Sequence, residues 1–151
     1  MTVAIGCDHG GYDLKMKLIA HFNENNTEYV DLGTHSTDSV NYAPIAKDVC
    51  DCVVGGKADF GILVCSTGIG MSIAANKVAG IRAACCSDYF SAKYTRLHNN
   101  ANVLCLGGRV VGDGLAFEMV DVFLLSEFEG GRHQTRIDQI ADIENERLAK
   151  G

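Results

Sequence analysis

Short apolar segments alternate with longer amphipathic segments along almost the whole chain, and this order constrains the fold more than any other feature. Each apolar segment has the length of a buried strand, and the amphipathic segments carry apolar residues at helical spacing, as at Leu14, Leu18 and Phe22. The pattern predicts strands over residues 3–7, 28–32, 60–65, 81–86 and 102–106. It predicts helices over residues 14–25, 43–54, 70–77, 89–97, 114–126 and 135–148.

This alternation favours a parallel sheet with helices on both faces, because parallel strands are joined by helical crossovers. We therefore expect an α/β fold. The chain of 151 residues is long enough to bury a core without disulfide or metal support, and we interpret residues 1–151 as one domain. Ligands of such sheets bind outside the carboxyl ends of the strands, so the residues that follow strands are the first candidates for a functional site.

The composition excludes several classes of function. A formal net charge of -6 argues against nucleic-acid binding, and the longest apolar runs are too short to cross a membrane. We recognise no secretory signal. The seven cysteines show no zinc-site spacing, so we expect reduced thiols, a cytoplasmic protein and no metal site. Five of them lie on strand or helix patterns and are expected to be small core residues: Cys50, Cys52, Cys85, Cys86 and Cys105.

Asp8 and His9 follow the first predicted strand and precede Gly10 and Gly11. Glycines allow the backbone to approach a neighbouring group closely, so this turn places both side chains at the crevice of the sheet. The alternative is that Asp8 caps the next helix and His9 lies on the surface.

A glycine-rich turn follows the third predicted strand, opening with Cys65 and running into a helix at Gly70. Backbone N–H groups in such a turn bind anions, helped by the helix dipole. The turn matches neither the Walker motif nor the dinucleotide-binding signature. A helix N-terminus also favours a thiolate, which makes Cys65 a candidate for chemistry. The alternative is a core cysteine that ends a buried strand.

Two further segments carry groups suited to catalysis or anion binding. His98 and Asn99 precede the fifth predicted strand, and Arg109 follows that strand after two glycines. Imidazole titrates near neutral pH, and a guanidinium group binds phosphate. The alternatives are a loop histidine and a surface arginine.

Arg132 and Arg136 share one helix face if the last helix begins near Arg132. Like charges repel at this spacing, so the pair needs a reason. A bound phosphate is one reason, because the guanidinium fork matches phosphate oxygens. Pairing with acidic residues such as Glu127 or Glu129 is the alternative.

Together these motifs resemble one family, the type B ribose-5-phosphate isomerases and their allose- and galactose-6-phosphate relatives. Five ordered motifs between Val3 and about Glu144 carry the resemblance. They are Gly6-Cys7-Asp8-His9-Gly10-Gly11, Cys65-Ser66-Thr67-Gly68-Ile69-Gly70 running into Ser72-Ile73-Ala74-Ala75-Asn76-Lys77, His98-Asn99, Gly108-Arg109-Val110-Val111-Gly112 and Gly130-Gly131-Arg132-His133. The resemblance implies a three-layer α/β/α sandwich on a five-stranded, Rossmann-like parallel sheet. It also implies homodimers or tetramers in which a neighbouring subunit completes each active site.

The resemblance assigns roles to individual residues. The residues implied at the reacting end of the sugar are Asp8, Cys65, Thr67, His98 and Asn99. Those implied at the phosphate are His9, Arg109, Arg132 and Arg136, the last two on a helix over residues 132–148 that packs on the partner. The turn residues implied to bind substrate are Ser66, Gly68, Ile69 and Gly70. Tyr42 matches an active-site tyrosine, although the family's Asp-Tyr-Pro is here Asn41-Tyr42-Ala43-Pro44.

The implied reaction converts an aldose phosphate into its ketose. We expect His98, helped by Asp8, to open the sugar ring, and the Cys65 thiolate to move a proton from C2 to C1. Backbone N–H groups of the turn would stabilise the cis-enediolate, and the Thr67 hydroxyl would move protons between its oxygens. No step requires a metal or an organic cofactor.

The expected activity is interconversion of ribose 5-phosphate and ribulose 5-phosphate, with the sugar phosphate and a second copy of the chain as the partners. One alternative is an isomerase of a six-carbon 6-phosphate, such as allose or galactose 6-phosphate. A second is a non-catalytic sugar-phosphate binding module. A third is a thiol hydrolase that uses Cys65 and His98 as nucleophile and base.

Overall fold

Parallel strands form the centre of the fold. The computed structural model describes residues 1–149, so Lys150 and Gly151 of the predicted domain lie outside the described residues. The strands are β1 (Thr2–Cys7), β2 (Glu28–Asp31), β3 (Phe60–Cys65), β4 (Ala83–Cys85) and β5 (Val103–Gly107). They form one five-stranded sheet in the order β2-β1-β3-β5-β4, and every neighbouring pair is parallel. The order places β3 at the centre and β4 at an edge.

Helices cover both faces of this sheet. They are α1 (Tyr12–Glu24), α2 (Tyr42–Val54), α3 (Ile69–Ala75), α4 (Tyr89–Asn99), α5 (Asp113–Leu125) and α6 (Arg132–Leu148). One face packs against α1, α4 and α5, the other against α2 and α3, and α6 packs on α4. The expected three-layer α/β/α sandwich with a Rossmann-like parallel sheet is therefore confirmed. Within residues 1–149, no helix is long and apolar enough to cross a membrane.

The central strand shows how the sequence fills both layers. Successive strand residues point to opposite faces, so Ile62 and Val64 lie in the core beneath α1, α4 and α5, whereas Leu63 and Cys65 lie in the core beneath α2 and α3. All four side chains are buried. An uninterrupted apolar run is what a strand buried on both faces requires, and each large apolar side chain contributes about 1.5–3 kcal/mol.

Every element except β3 differs from its predicted bounds by one to three residues at one end or both, and three of these differences show a structural cause. α6 begins at Arg132, three residues before the predicted start, because Gly130 and Gly131 have φ values of 64° and 56° and end the preceding loop. α3 ends at Ala75, where the Asn76 side chain bonds both backbone groups of Ala83 at 2.8 and 2.9 Å. β4 is shorter than predicted and covers only Ala83–Cys85, as an edge strand.

α4 carries the chain from the carboxyl ends of the strands back to their amino ends. It begins after the carboxyl end of β4 with Asp88, whose carboxylate accepts the Ser91 N–H at 2.7 Å. It ends at Asn99, just before the amino end of β5. At a rise of 1.5 Å per residue, the last turn lies about 15 Å from the carboxyl edge. The first turn of α4 therefore lies near the carboxyl ends of the strands, and its last turn lies near their amino ends.

Candidate active site

Three loops meet at the carboxyl ends of β1, β3 and β5. The Asp8 N–H donates to Val64 O at 3.1 Å, and the Arg109 N–H donates to Ser66 O at 3.1 Å. The loops approach so closely that a Cβ on Gly10 would lie 2.2 Å from Ser66 Oγ. The glycine after the first strand is thus required by close backbone approach, as the sequence suggests. The meeting point of the loops is rigidly held by backbone hydrogen bonds.

Cys65 lies at the centre of this meeting point. Its side chain is 5% exposed, and its Sγ accepts the backbone N–H of Gly68 at 3.0 Å. Gly68 has φ 79°, and a Cβ there would lie 2.9 Å from the carbonyl carbon of Leu106. The left-handed conformation is what turns this N–H towards the sulfur. Cys65 Sγ therefore accepts a backbone N–H, whereas the buried Cys7 Sγ donates to Thr34 O at 3.9 Å.

Asp8 and His9 flank the thiol on the β1 side. Asp8 Oδ1 accepts the N–H groups of Gly10 and Gly11 at 2.9 and 3.1 Å, and only 8% of the residue is exposed. The helix α1 itself is capped by Gly11, so Asp8 stabilises the preceding turn. His9 is exposed, and its Nδ1 accepts the Val40 N–H at 3.3 Å. This contact ties the loop that leads into α2 to the same edge.

Thr67 and Tyr42 complete the edge on the α3 side. Thr67 is exposed, and its Oγ1 accepts the Ile69 N–H at 3.3 Å. A Cβ on Gly70 would lie 3.0 Å from Tyr42 Cζ, so the tyrosine ring covers the start of α3. The N–H groups of Gly68 and Ile69 thus already have acceptors within the turn. We call this set the carboxyl-edge cluster: Asp8, His9, Tyr42, residues 65–70 and Arg109.

Cys85 is a thiol at this edge that sequence reasoning missed. It is exposed, so the prediction of a core residue is wrong, whereas Cys50, Cys86 and Cys105 are buried as predicted. Cys85 Sγ lies 3.7 Å from Thr67 O. It ends an edge strand, where the sheet covers it on one side only. The available signal was its position at the end of a strand, the same signal that marked Cys65.

The buried thiols Cys7, Cys50 and Cys86 have raised pKa values. Burial raises the pKa of Cys7 to about 11 and the pKa values of Cys50 and Cys86 to about 12. These three groups remain protonated at neutral pH, and they are core residues rather than candidates for proton transfer. The pKa of the exposed Cys85 is also raised, chiefly by desolvation.

The remaining predicted site residues lie together at the junction of α4 and α6. The His98 ring stacks on the His133 ring, with centroids 4.0 Å apart and planes 9° apart. Glu129 Oε2 lies 3.6 Å from His98 Nε2. We call this set the α4–α6 cluster: His98, Asn99, Glu129, Arg132, His133 and Arg136. Glu129 and His133 are the two members that sequence reasoning did not assign to the site.

The two arginines of this cluster are exposed at the start of α6. Among the ion pairs of residues 1–149, none joins Arg132 or Arg136 to Glu127 or Glu129. The Glu129 carboxylate faces the two histidines instead. Burial, with His98 and then both arginines, lowers the pKa of His133. The acid-pairing alternative therefore does not explain the two like charges.

Comparison with known proteins identifies the family. The model of the ribose/galactose isomerase family matches residues 3–140. The chain belongs to this family. It is 50% identical to ribose-5-phosphate isomerase B of Escherichia coli over 145 residues, covering 96% of this chain and 97% of the relative. The structure of ribose-5-phosphate isomerase B of Clostridium thermocellum superposes with a TM-score of 0.96 at 48% identity, covering 97% and 99% of the two chains.

A more distant relative carries the name of a different isomerase. It is a galactose-6-phosphate isomerase subunit of Clostridium acetobutylicum, 38% identical over 149 residues, covering 97% of this chain and 86% of the relative. The E. coli protein is thus closer in sequence by 12 percentage points, the difference between 50% and 38%.

A single copy of the chain does not bring the carboxyl-edge cluster and the α4–α6 cluster together. Cys65 lies at the carboxyl end of β3, whereas His98 lies in the last turn of α4, near the amino end of β5. The carboxyl ends and the amino ends of the strands are about 15 Å apart along α4. No side chain spans that distance.

The geometry of the α4–α6 cluster is that of a stacked pair and not of a metal chelate. His98, Glu129 and His133 each offer one ligand atom, and these atoms lie within 4.8 Å of one another. An imidazole lone pair lies in its ring plane, so one ion must lie in both planes to bind both rings. Because the two rings are stacked at 4.0 Å with planes only 9° apart, no nearby point lies in both ring planes.

Proposed function

We propose that this protein interconverts ribose 5-phosphate and ribulose 5-phosphate, with Cys65 as the proton-transferring base. The observation that carries the proposal is the Gly68 N–H at 3.0 Å from Cys65 Sγ, at the carboxyl edge of the central strand. Proton transfer between adjacent carbons needs a base with charge stabilised in a site shielded from water, and Cys65 is 5% exposed. The similarity to ribose-5-phosphate isomerase B supports this substrate.

The central step moves one proton and one pair of electrons. The Cys65 thiolate takes the proton from C2 of the open aldose. The C2–H electrons form the C1–C2 double bond, and the carbonyl oxygen at C1 takes a proton to complete the cis-enediol. Return of the sulfur-bound proton to C1, with loss of the O2 proton, gives the ketose. The Thr67 hydroxyl, exposed beside the turn, is placed to move protons between the two oxygens.

The other groups needed for this reaction come from the α4–α6 cluster of a second subunit. His98, helped by Asp8, opens the sugar ring, and Asn99 holds its hydroxyl groups. Arg132 and Arg136 bind the phosphate from the partner, with His9 and Arg109 on the Cys65 side. Two like charges four residues apart on an exposed helix face are stabilised when a phosphate lies between them.

The outer face of α6 supports a homodimer or tetramer with shared active sites. Ile140 and Ile143 are 49% and 63% exposed on this helix. They line a groove of about 830 Å³ between α6 and the edge strand β4. Exposed apolar side chains along a groove are typical of a protein–protein contact. We therefore propose that α6 packs on the neighbouring subunit.

Seven free thiols favour a reducing compartment, and we place the protein in the cytoplasm. We propose neither a nucleic-acid nor a membrane partner, and the proposed reaction needs no cofactor.

The test is turnover of ribose 5-phosphate by purified protein in the presence of EDTA, followed as formation of ribulose 5-phosphate. Steady turnover that Cys65→Ala abolishes supports both the reaction and its base. Allose 6-phosphate and galactose 6-phosphate, assayed beside it, report the six-carbon alternative. Binding of sugar phosphate without turnover of any of the three would replace the proposal with a binding module.

A further inference from the structure

Two side chains enclose His98 and have no part in the reaction described so far. Glu129 Oε2 lies 3.6 Å from His98 Nε2 and 3.5 Å from His133 Nε2. The His133 ring stacks on the His98 ring with centroids 4.0 Å apart. Tyr94 also contacts the His98 ring, edge to face at 4.9 Å. His98 thus contacts two rings, and its Nε2 faces a carboxylate.

The chain fixes this arrangement through the backbone. The Glu129 N–H donates to Leu97 O at 3.0 Å, which docks the loop before α6 on the last turn of α4. Gly130 and Gly131, both at positive φ, then turn the chain into α6. The His133 N–H donates to Gly130 O at 3.0 Å within that turn. The carboxylate and the stacked ring are therefore placed relative to His98 by short backbone connections.

His133 is buried but is not satisfied by hydrogen bonding. Its side chain is 6% exposed, and within the described part of the chain its Nε2 has no hydrogen-bond partner. A buried polar atom without a partner costs free energy and needs an explanation. Its contacts are with His98 and, at ion-pair distance, with Glu129. Supporting the His98 ring gives this buried histidine a role.

The surrounding charges favour a neutral His133 beside a carboxylate that serves His98. Burial, then His98, and then Arg132 and Arg136 on the same helix lower the pKa of His133. From the other neighbouring helix, α5, the ion-paired carboxylates Asp113 and Asp121 face α1 instead. Glu129 is therefore the acidic group that faces the stacked pair.

We propose that Glu129 and His133 are positioning residues for His98: the Glu129 carboxylate keeps the proton on Nε2, and the stacked His133 ring fixes the plane of the imidazole. A carboxylate beside one ring nitrogen sets the tautomer and leaves the lone pair on the other nitrogen. Nδ1 of His98 is then the atom that takes the C1 hydroxyl proton as the bond between C1 and the ring oxygen breaks. It delivers that proton to the ring oxygen. The inference rests on the proposed function, because it assigns partners to the ring-opening step.

Ring opening and carbon-bound proton transfer can be measured separately. Ribulose 5-phosphate has no ring to open, so exchange of its C1 proton with deuterium oxide depends on Cys65 but does not need ring opening by His98. Glu129→Gln is expected to lower turnover of ribose 5-phosphate at least about tenfold, in kcat rather than in KM, while C1 exchange stays near the wild-type rate. Cys65→Ala is expected to lose both.

Matched variants separate positioning from general damage. Glu127→Gln removes a carboxylate two residues earlier in the same loop and is expected to leave turnover unchanged. Glu129→Asp keeps the charge and should recover part of the loss. His133→Phe keeps a ring for stacking and should recover part of the turnover that His133→Ala loses, and both variants should retain exchange.

The tautomer gives a spectroscopic readout. In long-range proton–nitrogen correlation spectra, the wild-type His98 signals, assigned by their loss in His98→Asn, should show the form protonated at Nε2. Glu129→Ala should show a mixture of tautomers. Equal losses of turnover and exchange in Glu129→Gln, or an unchanged tautomer in Glu129→Ala, would overturn the inference. If the wild-type protein shows neither turnover nor exchange, the proposed function itself has failed.

Discussion

Gly68 directs its backbone N–H at the sulfur of Cys65, with the nitrogen 3.0 Å from Sγ. Two residues lie between them, and the turn closes only because Gly68 has φ 79°. The chain thus supplies a hydrogen-bond donor to the thiol without any second side chain. A site built on backbone geometry is sensitive to a single methyl group at the glycine.

Gly68→Ala should destabilise the fold and abolish turnover. A Cβ at this position lies 2.9 Å from the backbone of Leu106, and a left-handed conformation costs an alanine about 1–2 kcal/mol before any clash. The matched control is Gly112→Ala, because Gly112 has ordinary φ and a Cβ there meets nothing within 4 Å. Urea unfolding and initial rates on both variants test the expectation, which fails if the two variants behave alike.

Cys65→Ser should lower turnover of ribose 5-phosphate by about 10²- to 10⁴-fold, the usual contribution of a general base. A hydroxyl keeps the size of the thiol but not its tendency to ionise. Cys85→Ser is the control, since this second thiol lies at the same edge with its Sγ 3.7 Å from Thr67 O. Equal effects of the two substitutions on initial rates would remove the special role of Cys65.

The sheet and most helices follow from the sequence because their signal is local. Buried runs such as residues 60–65 have the length and the uninterrupted apolar character of central parallel strands, and the structure places β3 there. The motifs after the strands then converge because all parallel strands end at one edge. Asp8, Cys65 and Arg109 meet for this topological reason, which the order of elements already contains.

The position of His98 shows where sequence reasoning ends. The motif marks His98 and Asn99 as site residues, yet the single chain places them about 15 Å from the carboxyl edge. The contacts of His98 with Glu129 and His133 depend on how α6 docks on α4. Docking between helices is a tertiary property that no local pattern encodes. The exposure of Cys85 was missed for a different reason, because a short apolar run does not show whether its strand lies at the centre or at the edge of the sheet.

Lys15→Met should destabilise the protein by about 3 kcal/mol, because it leaves a partly buried carboxylate without its partner. The Lys15 side chain is fully buried, and its Nζ donates to Asp31 at 2.7 and 2.8 Å and to Thr34 O at 2.8 Å. Lys17→Met on the same helix breaks only the exposed pair with Asp113 and should cost under about 1 kcal/mol. Urea unfolding of both variants at neutral pH provides the comparison.

Asp88→Ala should lower the melting temperature in a pH-dependent way. The Ser91 backbone N–H and then the Ser91 hydroxyl hold the pKa of Asp88 below 3.8 in the folded protein. A lowered folded pKa means that the carboxylate stabilises the fold above 3.8 and that this contribution is lost as the pH falls through the folded value. The difference in melting temperature should therefore be constant near neutral pH and shrink below 3.8. A difference that grows in acid would contradict the cap.

Shared active sites predict recovery of activity from two inactive variants. Cys65→Ala removes the proposed base from the carboxyl-edge cluster, and Arg136→Ala removes a proposed phosphate ligand from the α4–α6 cluster. If each site combines one cluster from each subunit of a dimer, a mixed dimer has one site with both defects and one site with none. Random exchange makes half of the dimers mixed, so activity should return to about one quarter of wild type. If every site lay within one chain, both sites of the mixed dimer would carry a defect and mixing would restore nothing. Initial rates after unfolding and refolding the two variants together, compared with each variant refolded alone, decide between the two arrangements.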